Sequence, residues 1–134
     1  MVNGFIASGP VIIEDGKLLV TNDGKDDFYK IPGGKVREGE SLEETCLREF
    51  EEETGFKCRI IKKLSIMKLD KKPGTDEKIK IELHHYRCEL IKPMKNYDSF
   101  EYGGHEVRWI ELNKLEKYPV APNIKFLFGK GELK

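Results

Sequence analysis

Glu49, Glu52 and Glu53 stand at i, i+3 and i+4 of a segment with helical patterning, so a helix would raise three carboxylates from one face within a few ångströms of each other. Like charges at that spacing destabilise an isolated helix by roughly 0.2–0.5 kcal/mol per pair, so the cluster makes sense only against something cationic. Hard oxygen ligands suit a divalent ion such as Mg²⁺ or Mn²⁺, which takes a few carboxylates and completes its shell with water and substrate phosphate. Arg48 lies four residues from both Glu44 and Glu52 and can order the cluster through bidentate pairing.

The elements that must position these groups are legible around them. Pro32-Gly33-Gly34 is a turn in which paired glycines permit positive φ and close approach of backbone to a ligand. Ser41 with Glu44 three residues on forms a capping box, which predicts a helix from about Leu42 to Thr54, and Gly55 ends it in the left-handed position. The apolar stripe of Leu42, Cys46, Leu47 and Phe50 reads as core packing, and Glu51, pointing away from the cluster, as solvated.

The spacing Gly-x5-Glu-x7-Arg-Glu-apolar-x-Glu-Glu-x-Gly-apolar, met here by Gly34, Glu40, Arg48, Glu49, Phe50, Glu52, Glu53, Gly55 and Phe56, resembles the Nudix box at every fixed position. Upstream, Tyr29-Lys30-Ile31-Pro32-Gly33-Gly34 is similar to the family's lead-in, with Tyr29 where Trp is usual. Downstream, Glu106 to Leu112 resembles its late strand and following short helix.

The resemblance implies a metal-dependent hydrolase of phosphoanhydrides with Glu49, Glu52 and Glu53 as Mg²⁺ ligands and the Gly34 carbonyl as a further one, Mn²⁺ being an alternative ion. Hydrolysis needs a water presented to phosphorus while charge on the phosphoryl oxygens is neutralised. The implied base is Glu52 or Glu53, or a group from a later segment, Glu101, Glu106 or His105. Glu40 is assigned a supporting role beside Arg48. The box says little about what is attached to the diphosphate. Substrate contacts are expected from Phe28, Tyr29, Tyr102, Glu101, His105 and Glu106, with the aromatics of a loop from Lys92 to Gly104 (Tyr97, Phe100, Tyr102) able to stack on a base.

The minimal architecture resembles MutT-type (deoxy)nucleoside triphosphate pyrophosphohydrolases. Alternatives are ADP-ribose, dinucleoside polyphosphate or nucleotide-sugar pyrophosphatases, and, in another class, a non-catalytic nucleotide-binding regulatory domain. Pro73 lies near a proline marking ADP-ribose enzymes, but Pro-Gly is ordinary in a turn.

At 134 residues the chain is expected to be one domain with a single core. Its 24 basic and 24 acidic residues cancel, which argues against duplex nucleic acid or an anionic membrane as partner and leaves a small nucleotide derivative. Monomer and homodimer both remain open. Cys46, Cys58 and Cys88 are odd in number and lack CxxC spacing, pointing away from a disulfide framework or zinc and toward a reducing, cytoplasmic setting. No signal peptide is read in residues 1–14.

Strands are expected at Phe5 to Glu14 and Lys17 to Asn22, closed by the turn dipeptide Asp15-Gly16, and at Lys57 to Leu69 and Lys78 to Leu90. Loops are expected at 23–27, Lys71 to Glu77 and Lys92 to Gly104, with a short helix at Asn123 to Phe128. His84 and His85, lacking metal-spacing partners, read as structural or surface residues. The fold class is α+β, which the resemblance sharpens to an α/β/α sandwich with a mixed sheet and one catalytic helix.

Overall fold

The computed structural model describes residues 4–72, 74–93 and 98–134; the expectations for Pro73 and Tyr97 lie outside the described residues. Its spine is β1 (Gly4–Glu14), which pairs in parallel with β6 (Lys78–Leu90) from Gly4↔Lys80 to Ile12↔Cys88. At Ile13↔Leu18 it turns to antiparallel pairing with β2 (Lys17–Asn22), across the expected Asp15-Gly16 turn, whose φ angles are 51° and 72°.

Around that spine the mixed sheet runs β4 (Cys58–Lys63), β6, β1, β2, β8 (His105–Glu111), β7 (Ser99–Tyr102), with β3 (Gly34–Lys35) on β1 and β5 (Met67–Lys71) on β6. Successive residues of a strand face opposite sides, so Val11 and Ile12, and Leu18 and Leu19, serve two different cores. Helix α1 (Leu42–Thr54) covers one face through Cys46 and Phe50, while α2 (Pro122–Gly129) covers the other through Ile124 and Leu127. This is the expected layered sandwich.

Several sequence expectations are revised. The run Lys57 to Leu69 divides into β4 and β5 because β6 is long enough to pair with both, and the chain kinks between them at Leu64–Ile66. The expected loop from Lys92 to Gly104 contains β7, paired antiparallel with β8 around Gly103-Gly104; Phe100 packs on the Phe56 ring at 5.8 Å, so its aromatic spacing served the core. Leu47 is 38% exposed, whereas Cys46 and Phe50 are fully buried. The late short helix is a 3₁₀ segment at Leu112–Lys117, and Pro122 at the first turn starts α2 one residue before the expected position. Among the described residues no helix is long and apolar enough to cross a membrane.

Two backbones meet without side chains where β1 passes the turn before β3. A Cβ on Gly9 would lie 1.9 Å from the Pro32 carbonyl oxygen, and one on Gly33 2.7 Å from the Ser8 carbonyl oxygen. Neither neighbour can rotate away, being main chain. Gly9→Ala is therefore expected to cost about 3 kcal/mol or more, measured by urea unfolding, and to shift the turn that carries Gly33. Unfolding at the wild-type midpoint would contradict this contact.

Candidate active site

Helix α1 begins at Ser41, whose hydroxyl accepts the Glu44 N–H at 3.0 Å while the Ser41 N–H donates to the Glu44 carboxylate at 3.1 Å. It ends at Gly55 with φ 77°. The expected capping box and C-cap thus set the helix register, and that register places Glu49, Glu52 and Glu53 toward β3 and the β7–β8 turn.

Arg48 is the hub. Its Nε and Nη2 donate to the two oxygens of Glu40 at 2.6 and 2.9 Å, its Nη1 to Glu49 at 2.8 Å and Glu52 at 3.1 Å, and its Nη2 also to the Lys35 carbonyl at 3.4 Å. Glu40 further accepts from the Thr45 hydroxyl at 2.6 Å. Those hydrogen bonds, the Arg48 one foremost, hold the Glu40 carboxyl down to about 2, so it stays ionised, and they raise the already high Arg48 pKa.

Glu53 is different. Its side chain is 13% exposed and accepts the Gly33 N–H at 2.7 Å, while its other oxygen faces His105 Nε2 at 3.5 Å. Burial, reinforced by the charges of Glu49 and Asp23, pushes its carboxyl up to about 8 against the lowering by Gly33.

The three glutamates share a face without forming a ready-made cage; among the described residues no three metal-ligating side chains converge. The reason is Arg48, which draws Glu49 and Glu52 to itself while Glu53 leans on Gly33. The donor set nevertheless fits a hard dication, because it consists of carboxylates, and Glu53, raised first by burial, is raised further by the Glu49 charge beside it. Gly34 leaves the room: a Cβ there would sit 2.5–2.7 Å from the Glu49 carboxylate.

Beside the cluster opens a cleft of about 530 Å³. Gly33 and Gly34 form the wall shared with the glutamates, Phe5 and Phe28 supply aromatic surface, and His85 and Asn123 lie in its lining. Phe28 lines the cleft, while His105 lies outside its lining and reaches Glu53. The other expected contacts are not brought to the cleft lining. Tyr29 donates its hydroxyl to Glu106 at 3.2 Å and packs edge-on against Tyr118, so it braces the segment before α2. Glu106 is tied to Tyr29 and to Arg108 at 2.8 Å, Glu101 is exposed on β7, and the Tyr102 ring packs over Gly55, where a Cβ would meet it at 2.7 Å. The sequence reading names Asn123 only as the start of a short helix and His85 only as a structural or surface residue, not as residues of a cleft. Asn123 looked like part of an ordinary helix start, and a histidine in an apolar strand carries no spacing signal.

The family model of the NUDIX domain matches residues 6–128. Bacillus subtilis (strain 168) YtkD is 38% identical over 89 residues, covering 66% of this chain and 52% of YtkD, so the match spans about half of that relative. An 8-oxo-dGTP diphosphatase of Buchnera aphidicola subsp. Schizaphis graminum is 30% identical over 112 residues, covering 81% of this chain and 78% of that protein. The crystal structure of MutT protein from Methanosarcina mazei Go1 superposes with a TM-score of 0.72 at 22% identity, covering 96% of this chain and 93% of that one, which shows a shared fold. With its box complete from Gly34 to Phe56 and the family match extending over nearly its whole length, the chain belongs to the Nudix family.

Proposed function

We propose that this protein is a divalent-metal-dependent pyrophosphohydrolase of the MutT type, cleaving (deoxy)nucleoside triphosphates to the monophosphate and pyrophosphate. The observation that carries the reading is the buried Glu53 carboxylate, set among like charges and bonded to Gly33, whose turn forms a wall of a cleft of nucleotide size. The Buchnera relative, named for 8-oxo-dGTP, supports purine triphosphates as the first class to test.

Glu49, Glu52 and Glu53 with the Gly34 carbonyl would hold Mg²⁺, or Mn²⁺, which when bound neutralises charge on the phosphoryl oxygens and leaving group. Arg48 and Glu40 orient Glu49 and Glu52 for that task. Glu53 is the proposed base: it would take the proton of the water that attacks phosphorus as the anhydride P–O bond breaks, and a cation bound beside it would favour the ionised carboxylate that this task needs. His105 Nε2, facing Glu53, then carries the proton outward. Lys30 and Lys35 line the cleft and would meet phosphate oxygens there, Lys30 by exchanging its Asp26 partner and Lys35 by leaving the Phe5 ring. The three buried, free thiols support a reducing cytoplasm as its setting.

A hydrolysis screen with Mg²⁺ and Mn²⁺ tests this, covering nucleoside triphosphates with ordinary and oxidised bases, ADP-ribose, dinucleoside polyphosphates and nucleotide sugars. Metal-dependent release of pyrophosphate from a triphosphate is expected. Nucleotide binding without any cleavage would replace the enzyme with a regulatory nucleotide-binding domain.

A further inference from the structure

His85 is 1% exposed and bonded at both ring nitrogens. Nδ1 lies 2.8 Å from the Ser65 carbonyl oxygen, and Nε2 lies 3.1 Å from Asn123 Nδ2. A carbonyl oxygen only accepts, so Nδ1 must carry a proton. Burial keeps the ring neutral by pushing its pKa below the usual histidine range. Nε2 is then a lone pair that can only accept, and of the two ends of the Asn123 amide only the NH₂ can face it.

We propose that His85 is a positioning residue for base specificity: with its tautomer set by the Ser65 carbonyl, it locks the Asn123 amide in one orientation, so that the cleft meets the Asn123 donor and acceptor in a fixed order. The inference rests on the reading of the cleft as a nucleotide site. An amide edge pairs bidentately with a purine edge. A 6-oxopurine shows an acceptor at position 6 beside an N1–H donor, whereas a 6-aminopurine shows a donor beside an acceptor. The two edges are mirror images in hydrogen-bond order. An amide free to flip by 180° accommodates either, and a locked one accommodates one of them.

The lock has its own support. Ser65 sits at the kink between β4 and β5, where its N–H donates to Glu132 Oε1 at 2.7 Å and its hydroxyl to the other oxygen of the same carboxylate. Leu64 N–H donates to the His85 carbonyl at 2.9 Å, tying the kink to β6 itself. On the opposite side, Ala121 N–H donates to the Tyr29 carbonyl at 2.8 Å and Tyr29 N–H to the Pro119 carbonyl at 2.9 Å, which pins the start of α2 and hence Asn123. Both ends of the relay are therefore fixed to the sheet.

The test combines a long-range ¹H–¹⁵N spectrum of the imidazoles in the full chain with kcat/KM for dGTP against dATP and for their 8-oxo counterparts. His85 is expected as the Nδ1–H tautomer with an unprotonated Nε2 at neutral pH. The 6-oxo to 6-amino ratio is expected to depart from unity by about tenfold or more in the wild type. In His85→Leu it collapses toward unity, with KM changing more than kcat. His85→Gln, which keeps one donor and one acceptor, restores part of the ratio. Glu132→Ala, at a partly exposed site, loosens Ser65 and shifts the ratio the same way even if His85→Leu does not fold. An Nε2–H tautomer, a wild type indifferent to the base, or a folded His85→Leu with an unchanged ratio overturns the lock. If no nucleotide is hydrolysed, the enzymatic reading fails, and the same ratios measured by calorimetric titration of the nucleotides still decide the lock.

Discussion

Glu53→Gln is expected to lower turnover by about 10³-fold or more while raising the thermal stability of the metal-free protein above neutral pH. The loss follows from removing at once a metal ligand and the proposed base. The gain follows from burial. A carboxyl that titrates near 8 when folded and near 4.5 when unfolded binds its proton more tightly in the native state. Its contribution to stability is present at pH below 4.5 and is lost as pH climbs toward 8, amounting to about 3 kcal/mol by pH 7. A glutamine keeps the shape and can still accept the Gly33 N–H, but it has no charge to desolvate. The wild type and the variant should therefore unfold alike at acid pH and diverge as pH rises. Added Mg²⁺ should narrow the gap, because it stabilises the wild type by mass action and has less hold on the variant. Wild-type turnover in the variant would remove Glu53 from the site, and a variant less stable at every pH would show that the carboxylate is held by favourable contacts instead.

The sequence offers Glu53 as one of three ligands and, with Glu52, as a candidate base, but carries no sign of its burial. Helix α1 was legible to the residue because three local signals agree on it: the Ser41 and Glu44 box, the apolar period through Cys46 and Phe50, and Gly55 beyond the last turn. The hairpin around Asp15-Gly16 was legible for the same reason. What was not legible depends on contacts distant in the chain. Whether Glu52 or Glu53 is buried is decided by the turn at Gly33 and by His105, 20 and 52 positions away from Glu53 in sequence. Tyr102 and Phe100 read as residues of a loop, because the pairing of β7 with β8 that sets the still exposed Tyr102 over Gly55 and Phe100 against Phe56 is itself non-local. Nothing around Gly9 announces why a glycine stands there, because its reason is a carbonyl 23 residues on. Asn123 and His85 lie on α2 and β6, and nothing in either segment announces that they meet.

The second large effect is expected at Arg48, and its direction depends on what replaces the guanidinium. In the metal-free fold Arg48 is the counter-charge for Glu40, Glu49 and Glu52, so Arg48→Met leaves three carboxylates to repel one another and should lower the melting temperature. Mg²⁺ should then raise that temperature more than it does in the wild type, because the ion no longer competes with a resident cation for Glu49 and Glu52. Turnover should nevertheless fall about 10- to 100-fold at saturating metal, since the group that orients two of the ligands is gone. The acid side supplies an independent reading. Glu40 is held at about 2, below its ordinary 4.5, so the stability it lends is present above pH 4.5 and drains away as pH falls toward 2. Arg48→Met lacks that contribution, so its deficit relative to the wild type should close across this window. Arg48→Lys separates charge from geometry: it returns a cation but cannot donate to both oxygens of Glu40 while reaching Glu49 and Glu52. Stability should recover in part and turnover should stay low. If lysine restores turnover as well, Arg48 neutralises the cluster without shaping it, and the ligands must owe their orientation to the Gly34 gap and to the helix register alone.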